Sequence, residues 1–131
     1  MRILDHATQS SEDWRKGVRT QMQVSALTGS MQLTVFEQWC DPGMGAPTHL
    51  HAVEEVLTLL EGEAEIWVEK EKIIGTKWKS VLIPPGYWHG FRNIGQGTLH
   101  MRAILAAPIF EASYEDRTEV GRRWVPEHKP A

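Results

Sequence analysis

The chain carries a single cysteine, Cys40, so no internal disulfide can brace it, and nothing in its composition calls for an oxidising compartment. It lacks a cationic excess as well. Its 14 lysines and arginines stand against 17 aspartates and glutamates, a net charge of -3, which argues against general affinity for nucleic acid or for an anionic membrane. No apolar run is long enough to cross a bilayer, and Met1–Gly17 mixes charges where a secretion signal would set a basic start before an apolar stretch. The cytoplasm is the expected location. Internal repeats, low-complexity tracts and linkers are missing, as is helical periodicity beyond a few turns. At 131 residues, 41% of them hydrophobic, the chain is sized for one domain over residues 1–131, with one core held by packing alone.

What is present is period-2 alternation. Val18, Thr20, Met22, Val24 and Ala26 alternate with polar residues, Thr28-Gly29-Ser30 reads as a turn, and Met31, Leu33, Val35, Glu37 and Trp39 continue the pattern in a hairpin. Further short strands are expected at Glu55–Glu61, Ala64–Val68, Lys72–Ile74, Val81–Ile83, Trp88–Arg92 and Thr98–Ala106. Gly62, Gly75, Pro84-Pro85-Gly86 and Gly95-Gln96-Gly97 punctuate them. Many short strands at regular spacing point to an all-β sandwich or barrel. Two short helical turns are expected at its ends, one near Glu12-Asp13-Trp14 capped by Ser10 or Ser11, one between Phe110 and Trp124, where a surface arm would fit equally.

Three histidines and a glutamate stand out: His49 and His51, then Glu55, then His89. In an extended strand side chains alternate sides, so the i, i+2 pair His49 and His51 shares one face. Imidazoles plus a carboxylate form a nitrogen and oxygen donor set suited to a borderline divalent cation such as Fe, Mn, Ni, Zn or Cu.

These residues sit in a longer pattern. Gly43, His49, His51, Glu55 and Gly62 match all five fixed positions of Gly-x5-His-x-His-x3 or 4-Glu-x6-Gly. Pro84, Gly86, His89 and Asn93 match Gly-x5-Pro-x-Gly-x2-His-x3-Asn everywhere except its first glycine, where Trp78 stands. The chain thus resembles the small single-domain, RmlC-like members of the cupin superfamily. The resemblance implies a double-stranded β-helix or jelly-roll barrel with its motif core at 43–93 and peripheral arms at 1–17 and 108–131. It implies a metal held by His49, His51, Glu55 and His89, with Glu54 wrongly spaced, and leaves two adjacent positions for water, dioxygen or a bidentate substrate if the ion is octahedral. It implies a homodimer paired through edge strands such as Arg19–Leu27. Trp78 disfavours the positive φ that a glycine allows, so Gly75 is expected to take over that turn.

The implied function is a metal-dependent enzyme acting on a small organic molecule, dioxygenase-like or a decarboxylase, lyase or isomerase. The alternative is a non-catalytic module that binds or senses a metal or small ligand. No catalytic residue is assigned. Candidates are Glu37, His100 and Arg102. Glu37 is a proton carrier if its face of the strand enters the cavity, unless the inward face is that of Phe36 and Gln38. His100 reaches the cavity if its strand's register turns it inward, and Arg102 either anchors an anion or faces solvent. His6 and His128 read as ordinary structural or surface residues, and Cys40 as an inert buried thiol. Leu57, Leu59, Phe91 or Met101 would make an apolar pocket wall, while Trp39, Trp67 and Trp88 line that pocket or fill the core.

Overall fold

The computed structural model of the protein describes residues 1–127; His128 lies outside them. Twelve strands follow in chain order: β1 (Glu12–Arg15), β2 (Val18–Val24), β3 (Thr34–Cys40), β4 (Gly45–Leu50), β5 (Glu55–Glu61), β6 (Ala64–Val68), β7 (Glu71–Gly75), β8 (Ser80–Ile83), β9 (His89–Asn93), β10 (Leu99–Leu105), β11 (Phe110–Tyr114) and β12 (Val120–Arg123). They form two six-stranded antiparallel sheets, ordered β1-β2-β3-β10-β5-β8 and β12-β11-β4-β9-β6-β7. Two such sheets facing each other make an all-β jelly roll, as the resemblance implies and within the sandwich-or-barrel class that the alternation and turn spacing imply. Among the described residues there is no α-helix, only a 3-10 turn at Ala26–Thr28, capped by the Ser25 hydroxyl, which accepts from the Leu27 N–H.

Strict alternation explains the core. In β3 every second residue, Thr34, Phe36, Gln38 and Cys40, is buried, and in β10 the same holds for Leu99, Met101, Ala103 and Leu105. These inward residues meet Ile66, Phe91, Phe110 and Ala112 of the opposite sheet in one apolar cluster. Each large apolar side chain buried there contributes about 1.5–3 kcal/mol relative to an exposed position. The inward face of β3 is therefore that of Phe36 and Gln38, with Glu37 turned outward.

Both expected helical turns are strands instead. Glu12–Arg15 pairs with β2 across the two-residue turn Lys16–Gly17, where Gly17 takes φ 74, and Phe110–Tyr114 pairs with β4 and β12. Tertiary pairing overrides a weak local signal here, because a lone turn of helix forms one hydrogen bond where a strand next to a sheet forms several. The end segments read as peripheral arms thus contribute β1 to one sheet and β11 and β12 to the other. As a further consequence β2 is not an edge strand, since β1 and β3 pair with it on both sides.

Candidate metal centre

The first motif brings β4 into the site and the second brings β9 beside it. The two strands pair with Ala46 opposite Phe91 and His49 opposite His89, so β4 holds one extra residue between these pairs. This bulge at Pro47-Thr48 turns both Ala46 and His49 toward the interior, although an odd separation would otherwise place them on opposite faces. Gly90 permits the close approach: a Cβ there would lie 2.7 Å from the Ala46 carbonyl oxygen and collide with the Trp67 ring. Two hydrogen bonds then tie the motifs together: the Gly86 N–H donates to the His51 carbonyl at 2.8 Å, and the Gly43 N–H donates to the Asn93 carbonyl at 2.9 Å. The buried Asn93 amide donates in turn to the carbonyls of Cys40 and Gly97 at 3.0 and 2.8 Å.

His49, His51, Glu55 and His89 converge as these constraints require. One donor atom from each lies within 4.8 Å of all the others, and all four residues are buried, none more than 7% exposed. Each imidazole is oriented from behind: Nδ1 of His49 lies 2.6 Å from the Pro47 carbonyl, that of His51 2.7 Å from the Glu111 carbonyl, and that of His89 2.8 Å from the Tyr87 carbonyl. Carbonyls only accept, so Nδ1 carries the proton in each neutral ring and the Nε2 lone pair points into the site.

The electrostatics agree. Burial, with His89 and His51 close by, pushes the His49 pKa down to about 3, leaving it neutral as a ligand must be. Burial acts on His51 in the same sense, but Glu55 and the Glu111 carbonyl overcome it and raise its pKa. For Glu55 burial favours protonation, yet the His51 and His89 imidazoles prevail and hold the carboxyl well below the usual carboxylate range. His89 Nε2 lies 2.8 Å from Glu55 Oε1, and His51 Nε2 lies 3.5 Å from Glu55 Oε2. Three of these atoms, His51 Nε2, His89 Nε2 and Glu55 Oε1, are buried without a properly aligned hydrogen-bond partner. Lone pairs of two acceptors facing each other at that distance repel unless a cation stands between them, so the donor set fits a metal ion. The cluster suits a metal site.

Comparison with known proteins agrees. Residues 36–106, more than half of the chain, match the Cupin domain family. The chain belongs to the cupin family. No curated protein matches it by sequence. Solved structures share its fold at low identity. An RmlC-like cupin from Shewanella frigidimarina NCIMB 400 is 23% identical over 84% of this chain and 89% of its own, with a TM-score of 0.68. The polyketide cyclase RemF from Streptomyces resistomycificus is 18% identical over 97% and 88%, with a TM-score of 0.72. An oxalate decarboxylase from Lactobacillus farciminis is 15% identical over 84% of this chain, with a TM-score of 0.75, and this cupin spans only 34% of its length.

The remaining candidates fall elsewhere. Glu37, His100 and Arg102 occupy the outward face of their sheet, in rungs that pair Glu37 with Arg102 and His100 with Trp39. There His100 Nε2 lies 2.5 Å from Glu37 Oε1, Gln23 donates to Glu37 at 2.8 Å, and the His100 ring stacks on Trp39. The register, not the residue type, sends them away from the histidines. A small cavity beside the metal cluster, about 20 Å³, is lined by His49 and Glu55 together with Trp14, Arg15, Phe36, Gln38, Ala46, Leu57, Phe91, Phe110 and Tyr114. Leu57 and Phe91 face it as expected, whereas Leu59 and Met101 are buried in the core away from it. Trp39, Trp67 and Trp88 do not line it; Trp14 does. Trp14, Arg15 and Tyr114 are the site residues that sequence reasoning missed. Lys16-Gly17, a two-residue turn with a glycine, was the available signal that Trp14 and Arg15 belong to a hairpin.

Proposed function

We propose that this cupin is a metal-dependent enzyme acting on a small organic molecule, with His49, His51, Glu55 and His89 as the ligands of one divalent transition metal ion. The observation that carries this reading is the convergence of four buried donors, three of whose atoms have no hydrogen-bond partner in the protein. A cation there supplies Lewis acidity toward a substrate oxygen or toward dioxygen. The chain's own contribution is to orient three imidazoles through their Nδ1 bonds and to surround the reacting group with apolar walls that exclude water. Dioxygenase-like chemistry is the leading reaction class, with decarboxylase, lyase or isomerase chemistry as its relatives. The occurrence of a polyketide cyclase and an oxalate decarboxylase among the structural neighbours supports enzymatic use of the fold.

The test is elemental analysis of protein purified without a histidine tag, followed by assays of substrate-dependent oxygen uptake and product formation. About one transition metal per chain is expected, and His49→Ala should lose both the metal and the turnover. Protein that binds no metal when all first-row divalent ions are offered would sink the reading.

We also take residues 1–131 as one cupin domain working in the cytoplasm as a homodimer. No helix among the described residues is long and apolar enough to cross a membrane, and the charge balance favours neither membrane nor nucleic acid as partner. Because β2 is paired on both sides, its edge is not available for the dimer contact, for which we propose a sheet face instead.

A further inference from the structure

Arg15 is the cation that faces the site. The pairing of β1 with β2 skips a residue, Asp13 lying opposite Arg19 and Arg15 opposite Val18, so Trp14 is the extra residue of a bulge. In a regular strand Trp14 and Arg15 would point to opposite faces; across the bulge both line the cavity that His49 and Glu55 border. The Arg15 guanidinium is anchored by donation from Nη1 to the Gly45 carbonyl at 2.7 Å, at the start of the strand that carries His49. Although Arg15 also borders an outer groove beside Asp13 and Asp41, no carboxylate of the described residues lies within ion-pair distance of it. Burial lowers its pKa from the ordinary 12.5, and an arginine so placed still keeps its charge at neutral pH.

The charge count follows. Glu55 is the cavity's one acidic residue, and the imidazoles contribute no charge when they bind a metal. A divalent cation, one carboxylate and one guanidinium leave a net positive interior, walled largely by Phe36, Leu57, Phe91 and Phe110. Attraction for an anion is strong in such a low-dielectric space. One more cation stands near Trp14: Arg123 lies 4.0 Å over its ring. The cavity, about 20 Å³, excludes a bulky head, so only a small end group of a ligand fits beside His49 and Glu55.

We propose that Arg15 is the substrate anchor of this site and that the ligand is a small organic acid, its carboxylate held between the guanidinium and the metal. The assignment rests on the metal-site reading and adds the substrate class to it. The planar fork of an arginine matches a carboxylate through two parallel N–H donors, a fit that neither an amide nor a ketone reproduces.

Calorimetric titration of the metal-loaded protein tests it, with acetate and pyruvate as probes and acetamide and acetone as their neutral counterparts. Elemental analysis of each sample is made first. The wild-type protein should bind the carboxylates and not the neutral analogues, and Arg15→Gln should retain its metal while losing about ten- to a hundredfold in carboxylate affinity. Arg15→Lys, which keeps the charge and a donor for the Gly45 carbonyl, should keep part of that affinity and guards against a folding defect in the first variant. Equal carboxylate binding by wild type and Arg15→Gln at full metal content would overturn the anchor role, as would equal binding of acetamide. Absence of metal from every sample would instead overturn the metal-site reading on which it rests.

Discussion

Cys40 illustrates how burial sets the chemistry of a single group. It is fully buried at the inward end of β3, and burial pushes its thiol up to about 12 even though Arg15 acts to lower it. Only the thiolate attacks electrophiles, so the native protein should resist iodoacetamide at pH 8 and take up one equivalent once unfolded in denaturant, as read by mass spectrometry. The same shift carries a stability consequence. The native thiol holds its proton more tightly than the unfolded one, whose ordinary value is 9.0, so its contribution is intact below about pH 9 and is lost as pH rises toward 12. Urea midpoints measured at pH 8 and pH 10.5 should therefore fall further for the wild type than for Cys40→Ala. A residue-level lesson runs beside this one: Glu37, His100 and Arg102 have the chemistry of an active site, and Glu37 and His100 bond to each other, but all three lie on the wrong side of the sheet.

At the scale of elements, the motif positions show what a turn requires. Gly43, Gly62 and Gly86 all take positive φ, at 83, 93 and 79°, the region that favours glycine. The fourth motif glycine is replaced by Trp78, which adopts φ 68° itself while remaining 70% exposed, so Gly75 does not take over the turn and instead sits buried in β7. A left-handed conformation costs a side-chain-bearing residue about 1–2 kcal/mol, partly offset in glycine by a freer unfolded chain. Trp78→Gly should accordingly raise stability by about 1 kcal/mol, visible as a melting temperature several degrees higher. A destabilised variant would mean that the indole makes contacts worth more than the strain. Elements were legible where periodicity was long and turns carried glycine, as in β5, β6 and β10. They were illegible at β1, β11 and β12, strands of four or five residues whose identity depends on the neighbours they pair with.

The whole molecule raises the question of what covers its outward sheet face. Val35, Ile104, Val56 and Leu82 form one continuous cross-strand row there, with Leu82 61% exposed. A second copy seated on this row would bury it about a two-fold axis, the commonest arrangement for small homo-oligomers. Light scattering at micromolar concentration should report a dimer, and Ile104→Lys should shift it to monomer without unfolding it, since the position lies outside the core. A wild-type monomer at that concentration would refute the pairing.

By itself the amino-acid sequence determined the all-β class and the grouping of His49, His51, Glu55 and His89, because alternation, motif glycines and ligand spacing are local properties written in consecutive residues. Which cation accompanies that group was decided only by tertiary structure. Arg102 and Arg15 are chemically the same side chain, but strand register turns the first outward, while a bulge in a strand that exists only when paired turns the second toward the histidines. Register and bulges arise from pairing between distant segments, and a shift of one residue reverses every side chain's face.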